Sequence, residues 1–319
     1  MAFRKPGEKK LGGKFLSYGK KSTSKTTFLL SFPKIAAIDA ETGMSFYEGT
    51  EDGKNLVLVA NSQSFKELED DIDDISENYE EMQIQTFGID SSTKIRENIE
   101  ETIMLIDEKR ERKKGKSIDE TNLSIRSRGR IKYVSKKIQN LKIDLSTKGI
   151  HIVDIAQAKE IKEKQGDQFV LIGWEPDMQK GSDHDYDVVL RHFTEKTPQG
   201  KTLYKAEVEK DRLKVFQQGD IIENPSYEMW REVLEKRANG ETLNTNFSKQ
   251  VEDGKDRYEE ESELDEKTWQ DKMKALFDKL SDDQKVQLTE SLKKAKISNF
   301  SQLTPVQENK LKAIYESFN

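Results

Sequence analysis

Gly19-Lys20-Lys21-Ser22-Thr23-Ser24-Lys25-Thr26 is one residue short of the pattern G-x-x-x-x-G-K-[ST]. A loop of that pattern turns successive backbone N–H groups around a β-phosphate. Its lysine reaches the β/γ oxygens and its hydroxyl ligates Mg²⁺. The departure is Ser24, which stands where the pattern has glycine and must either accept an unfavourable backbone geometry or shift the loop. A chance match within a Lys/Ser/Thr-rich segment is the plain alternative, and the flanking residues argue against it. Phe15-Leu16-Ser17-Tyr18 reads as a strand entering the loop, residues 26–32 as a short helix stopped by Pro33, and Ile35-Ala36-Ala37-Ile38 as a buried parallel strand. The expected nucleotide-binding residues are Gly19, Ser22, Thr23, Ser24, Lys25, Thr26 and Thr27, with ATP and Mg²⁺ as cofactors.

Further strands are expected at 56–59, 83–90, 150–156, 187–190 and 203–208. Helices are expected at 64–81, from about Lys94 onward, and at 227–236. This alternation over 14–237 is the pattern of a parallel sheet covered on both faces. Residues 1–13 read as a flexible basic N-terminus and 238–263 as a polar linker. Residues 264–319 read as a small helical module, with Trp269 and Phe277 in its core and Asp282 and Asp283 at a helix start.

Several polar residues fall at expected strand ends, the edge where open α/β sheets bind ligands. Asp39-Ala40-Glu41-Thr42-Gly43 is turn chemistry when taken alone. Beside a phosphate loop, Glu41 becomes a candidate general base for the attacking water. Asp90 is the candidate second Mg²⁺-side group alongside Thr26, and Asp90-Ser91-Ser92 also reads as a helix N-cap. Gln157 fits a γ-phosphate-sensing amide or an ordinary loop residue. Lys210 and Arg212 are spaced to point the same way from a strand. They read either as phosphate contacts, including those of a neighbouring subunit, or as an exposed charged hairpin.

The chain of 319 residues is 33% hydrophobic and 36% charged, with formal net charge -6 and no cysteine. This excludes disulfides, thiolate metal sites and a uniformly basic nucleic-acid coat, and it suits a reducing cytoplasm. No stretch has the length of a membrane span, and 1–14 has no apolar signal core. Residues 109–137 concentrate positive charge, including Lys113, Lys114, Arg126, Arg128, Arg130 and Lys132, around one aromatic, Tyr133. The reading is either salt-sensitive contact with a nucleic-acid backbone or a solvated face. Asp183-His184-Asp185-Tyr186-Asp187 suggests a metal site by composition, but on a strand its carboxylates share a face without His184. Asp70-Asp71-Ile72-Asp73-Asp74 lacks the glycine of a calcium loop and reads as a solvated helix face.

Lys25-Thr26-Thr27 with Leu29-Leu30-Ser31-Phe32-Pro33, Ile38 to Gly43, Ile89-Asp90-Ser91, Asp187-Val188-Val189-Leu190 and Val208-Glu209-Lys210-Asp211-Arg212 occur in the order of a RecA-like recombinase core. More closely, they resemble phage-encoded ATPases of that class that act as single-strand annealing proteins. The resemblance covers roughly residues 14–237. It implies an α/β RecA-like P-loop core with a mainly parallel sheet that assembles side by side on single-stranded DNA in the cytoplasm of a bacterial host. Glu41 would then be the catalytic carboxylate, and Lys210 and Arg212 would complete the neighbour's site. Ser24 departs from that pattern, and so does the Gln157 region, which lacks a Thr-x-Gln or Thr-x-His form. A non-catalytic alternative has the loop bind nucleotide structurally while the C-terminal helices recruit a replication or recombination partner such as a single-strand-binding protein.

Overall fold

The computed structural model describes residues 7–113, 124–166, 168–237, 240–243, 245–247, 249–251, 269–297, 300 and 303–318. The chain divides into two compact units, residues 1–248 and 249–319.

In the first unit the strands are β1 (Lys9–Lys10), β2 (Lys14–Gly19), β3 (Ile35–Asp39), β4 (Leu56–Ala60), β5 (Thr86–Asp90), β6 (His151–Gln165), β7 (Gln168–Pro176), β8 (Val188–Lys196), β9 (Thr202–Asp211), β10 (Ile221–Glu223) and β11 (Glu241–Thr242). The helices are α1 (Lys25–Leu30), α2 (Phe65–Asn78), α3 (Ser92–Lys113), α4 (Ile125–Thr147) and α5 (Arg231–Lys236). The main sheet runs β10-β9-β8-β2-β6-β5-β3-β4, with β7 paired to β6 alone. From β8 to β4 every neighbour is parallel, and β9 and β10 extend the sheet antiparallel. This is the α/β fold with a mainly parallel sheet that the alternating pattern predicts.

Continuous apolar strands need cover on both faces, and two cores supply it. On one face Phe15, Val153 and Leu190 pack with Phe28 and Phe32 from the α1 region and with Trp230. On the other, Ile38, Ile89 and Ile152 pack under Leu68 and Ile72 of α2, Ile95 and Ile99 of α3, and Ile138 and Leu141 of α4. The expected strand 56–59 is the exception. As β4 it is the sheet edge, with Val57 and Leu58 over 40% exposed.

Three features differ from the sequence expectation. The basic, polar stretch after residue 124 is a 23-residue helix, α4, capped by the Ser124 side chain. Strand β6 does not stop at Ala156. It continues for 15 residues, and from Ala158 onward its partner is β7, forming a two-stranded ribbon past the end of β2. The core unit also extends beyond residue 237. β11 pairs with β1, and Thr245 Oγ1 donates to Asp144 Oδ1 at 3.0 Å, so residues on both sides of the expected core boundaries are tied to it.

The second unit holds α6 (Trp269–Lys279), α7 (Asp282–Lys294) and α8 (Pro305–Phe318). Met273, Leu276, Leu280, Leu288, Ile297 and Leu311 form its core, with Trp269 packed against it. Ser281 and Gln284 close a reciprocal capping box, and Asp282 and Asp283 occupy the first turn of α7. Phe277, expected in the core, is 39% exposed on α6 beside the Lys285 ammonium. Among the described residues no helix is long and apolar enough to cross a membrane.

Candidate nucleotide-binding site

The loop between β2 and α1 folds on local chemistry. Gly19 has no room for a side chain, since a Cβ would lie 2.5 Å from the His192 carbonyl and 2.9 Å from Thr23 Oγ1. Thr23 Oγ1 donates to the Lys20 carbonyl at 2.8 Å. Ser22 and Ser24 both adopt left-handed backbone, with φ 61° and 68°. Ser24 therefore keeps the geometry that the pattern's glycine would have and accepts the steric cost that a Cβ brings there. Lys25 follows as the first residue of α1, and its ammonium donates to the Lys20 carbonyl at 2.7 Å. Burial lowers the Lys25 pKa, while the Asp90 and Glu41 carboxylates oppose that shift.

Parallel register brings the acidic residues to the same edge. Asp39 and Asp90 are direct partners on β3 and β5, and Gly19 pairs with Gln157 across β2 and β6. The Thr26 hydroxyl donates to Asp90 Oδ2 at 2.6 Å. Asp90 is buried, and this raises its carboxyl pKa to about 6. The Thr26 hydrogen bond works against the rise, and the Glu41 and Asp39 charges add to it. Glu41 Oε1 accepts from Ser91 Oγ at 2.6 Å and lies 3.4 Å from the Gln157 amide nitrogen, which donates to it. Lys25, Thr26, Glu41, Asp90 and Gln157, chosen from four separate segments, thus meet at one edge of the sheet.

Asp39 does other work. Its carboxylate accepts backbone N–H groups of Glu41, Gly43 and Met44 and is 1% exposed, so it builds the turn that presents Glu41. Sequence reasoning gave Ser91 only as part of a helix cap and of a family match, and it missed Thr93 and Trp174. Thr93 Oγ1 accepts from the Gln157 backbone at 3.0 Å and donates to the Asp177 carbonyl at 2.9 Å, fastening the end of the sheet-bound part of β6. Trp174, on β7, receives the Lys20 ammonium over its ring at 4.3 Å. Neither contact has a sequence signal, because each joins segments far apart in the chain.

The donor set fits Mg²⁺ brought in by a nucleotide. A hydroxyl and one carboxylate in contact are the hard oxygen ligands that this ion takes beside phosphate oxygens. No cluster of three or more His, Cys, Asp or Glu able to hold a metal alone occurs among the described residues. Asp183 and Asp185 sit with His184 in a single helical turn, and Asp187 is occupied by Lys14 and Arg212.

Lys210 and Arg212 stand at the far edge. Lys210 is the register partner of Val189, near the start of β8, and donates to the His184 carbonyl at 2.9 Å. Arg212 pairs with Asp187 Oδ1 at 3.0 Å and is largely exposed. Both lie at the amino-terminal end of the parallel strands, away from the phosphate loop of their own chain. Of the expected nucleic-acid residues, Arg126, Arg128 and Lys132 are exposed and Arg130 half-buried on α4. Lys113 is the last residue of α3, and Lys114 lies outside the described residues.

A phosphate loop between the first core strand and its helix, a hydroxyl–carboxylate pair joining that helix to a strand end and a further carboxylate at the same edge define a P-loop nucleotide-binding domain on a mainly parallel α/β sheet. The chain belongs to the AAA domain family, whose model matches residues 12–258. No curated protein matches the chain. Among solved structures, a KaiC-like protein from the hyperthermophilic archaeon Pyrococcus horikoshii OT3 aligns with TM-score 0.40 and 11% identity, over 67% of this chain and 90% of that one.

Proposed function

We propose that this protein hydrolyses ATP and uses the nucleotide cycle to act on single-stranded DNA in recombination or annealing. The observation that carries the ATP reading is the meeting of Lys25, Thr26, Asp90 and Glu41 at one sheet edge. In this account the loop amides and Lys25 bind phosphates, Thr26 and Asp90 hold Mg²⁺, and Gln157 senses the terminal phosphate. Mg²⁺, when bound, supplies charge neutralisation to the phosphate oxygens. Glu41, held by Ser91 and Gln157, accepts a proton from the attacking water. Lys210 and Arg212 face away from their own loop, which suits a role at a neighbouring subunit's phosphates in a homo-oligomer.

The DNA reading is supported by the exposed cations of α4. Its test is ATP-dependent binding to a labelled single-stranded oligonucleotide with ATPase rate recorded in the same samples. Binding that rises with ATP and falls with salt supports the proposal. Nucleotide binding with no DNA response favours the second reading, a non-catalytic protein that recruits a replication or recombination partner through its C-terminal helices. That reading is supported by a module with its own core that leaves Val286 and Val306 at least 60% exposed.

A further inference from the structure

Arg128, Lys132 and Lys136 recur every fourth residue along α4 and so form one stripe, about one turn apart. All three are exposed, and none has an ion-pair partner among the described residues. Beside the stripe a cavity of about 240 Å³ opens between α3, α4 and residues 178–182. Its walls include Leu68, Ile89, Ile95, Ile99, Ile138 and Met178, and Lys132, Lys136 and Lys180 also line it against one carboxylate, Asp185. Two residues of α3 in this lining, Ser92 and Arg96, each carry a buried polar atom without a partner. Ser92 is 9% exposed and its Oγ is unpaired. One turn later Arg96 commits its terminal nitrogens to Glu100 and Asp177 and leaves Nε unpaired.

We propose that this cavity receives one unstacked base of a single strand whose phosphates follow Arg128, Lys132 and Lys136. The inference rests on the single-stranded DNA reading above and gives it a location. The cations extend past the cavity, since Arg128 does not line it, so the ligand outruns the pocket and repeats its negative charge. The apolar walls suit the faces of a base, while Gln179 and Lys180 in the same lining offer donors to acceptors on its edge. The site also answers the scarcity of aromatic rings on α4, because insertion into a walled pocket replaces stacking on a platform. The occupant would touch Ile89 and Ser92, on either side of Asp90 and next to the Ser91 that holds Glu41.

The test uses the full chain with ATP and Mg²⁺ and two labelled single strands of equal length, one thymidine-bearing and one with abasic sites throughout. The base-bearing strand is expected to bind about tenfold tighter, the scale of one well-made base contact. Ser135→Phe, which fills the cavity from the half-buried side of α4, is expected to bring the base-bearing strand down to the abasic level and leave abasic binding and its salt dependence unchanged. Equal affinity of the wild-type protein for both strands overturns the base pocket while leaving the DNA reading intact. Binding to neither strand overturns both. The wild-type comparison carries the test even where Ser135→Phe fails to fold.

Discussion

Thr26 Oγ1 and Asp90 Oδ2 stand 2.6 Å apart and join the first turn of α1 to the end of β5, across 64 residues of chain. The hydrogen bond holds a buried carboxylate that burial itself drives toward protonation. The pair thus holds the hydroxyl and the carboxylate proposed for Mg²⁺ side by side.

Lys25→Ala removes the ammonium now held by the Lys20 carbonyl. Nucleotide affinity is expected to fall by about a hundredfold or more, with the urea midpoint little changed, because a charge-assisted phosphate contact is lost and no apolar contact is. Titration with a fluorescent ATP analogue measures it. Unchanged affinity would remove the central assignment.

Glu41→Gln keeps an acceptor for Ser91 but loses the base. ATP binding is expected to persist while turnover falls by roughly 10²–10⁴. A variant that turns over at the wild-type rate would return Glu41 to the turn that Asp39 builds.

Ser24→Gly places the residue suited to φ 68° in the loop. Relief of the left-handed strain, partly offset by the greater freedom of glycine in the unfolded chain, is expected to stabilise the nucleotide-free protein by roughly 0.5–1 kcal/mol. Urea unfolding reads this, and a destabilised variant would show that the serine contributes a contact of its own.

His151 and His192 are buried, and burial lowers their pKa values to about 4 and about 3. Both are depressed below the unfolded value, so the stability they support is complete above about pH 6.5 and drains away as pH falls toward 4. Asp90 has the opposite sign. Its raised pKa means that the fold gains as pH drops through about 6. With chelator present, the net loss between about pH 7.5 and about pH 5 is expected to be roughly 2–3 kcal/mol. A flat profile over that window would contradict the burial of these imidazoles.

Arg212→Ala is expected to lower ATPase activity only under conditions where the chain assembles, because Arg212 lies at the edge opposite its own phosphate loop. An equal loss in dilute monomer would refute a role at a neighbour's site.

The parallel core was legible because its strands are apolar runs, continuous at Ile35 to Ile38 and broken at Ile152 to Ala156 only by Asp154, whose buried carboxylate pairs with Lys142. The phosphate loop was legible because it is a backbone device whose requirements fall on adjacent residues. Glu41, Asp90 and Gln157 could be placed at one edge from strand ends alone. What escaped was non-local or disguised. In α4 the buried seam of Ile131, Ile138, Leu141 and Leu145 is diluted by arginine and lysine on every exposed turn. The β6–β7 ribbon is exposed on much of both strands, so it lacks the alternation that marks a half-buried strand. Ser91 acts through one hydrogen bond and Thr93 through two, all to distant segments, which no spacing announces.

Strand β6 spans two worlds. Its first half is wedged between β2 and β5, the strands that lead into the phosphate loop and end at Asp90, and its second half is one strand of the ribbon that touches Lys20 through Trp174. One unbroken piece of backbone therefore joins the two strands behind the loop and Asp90 to the hairpin that reaches Lys20.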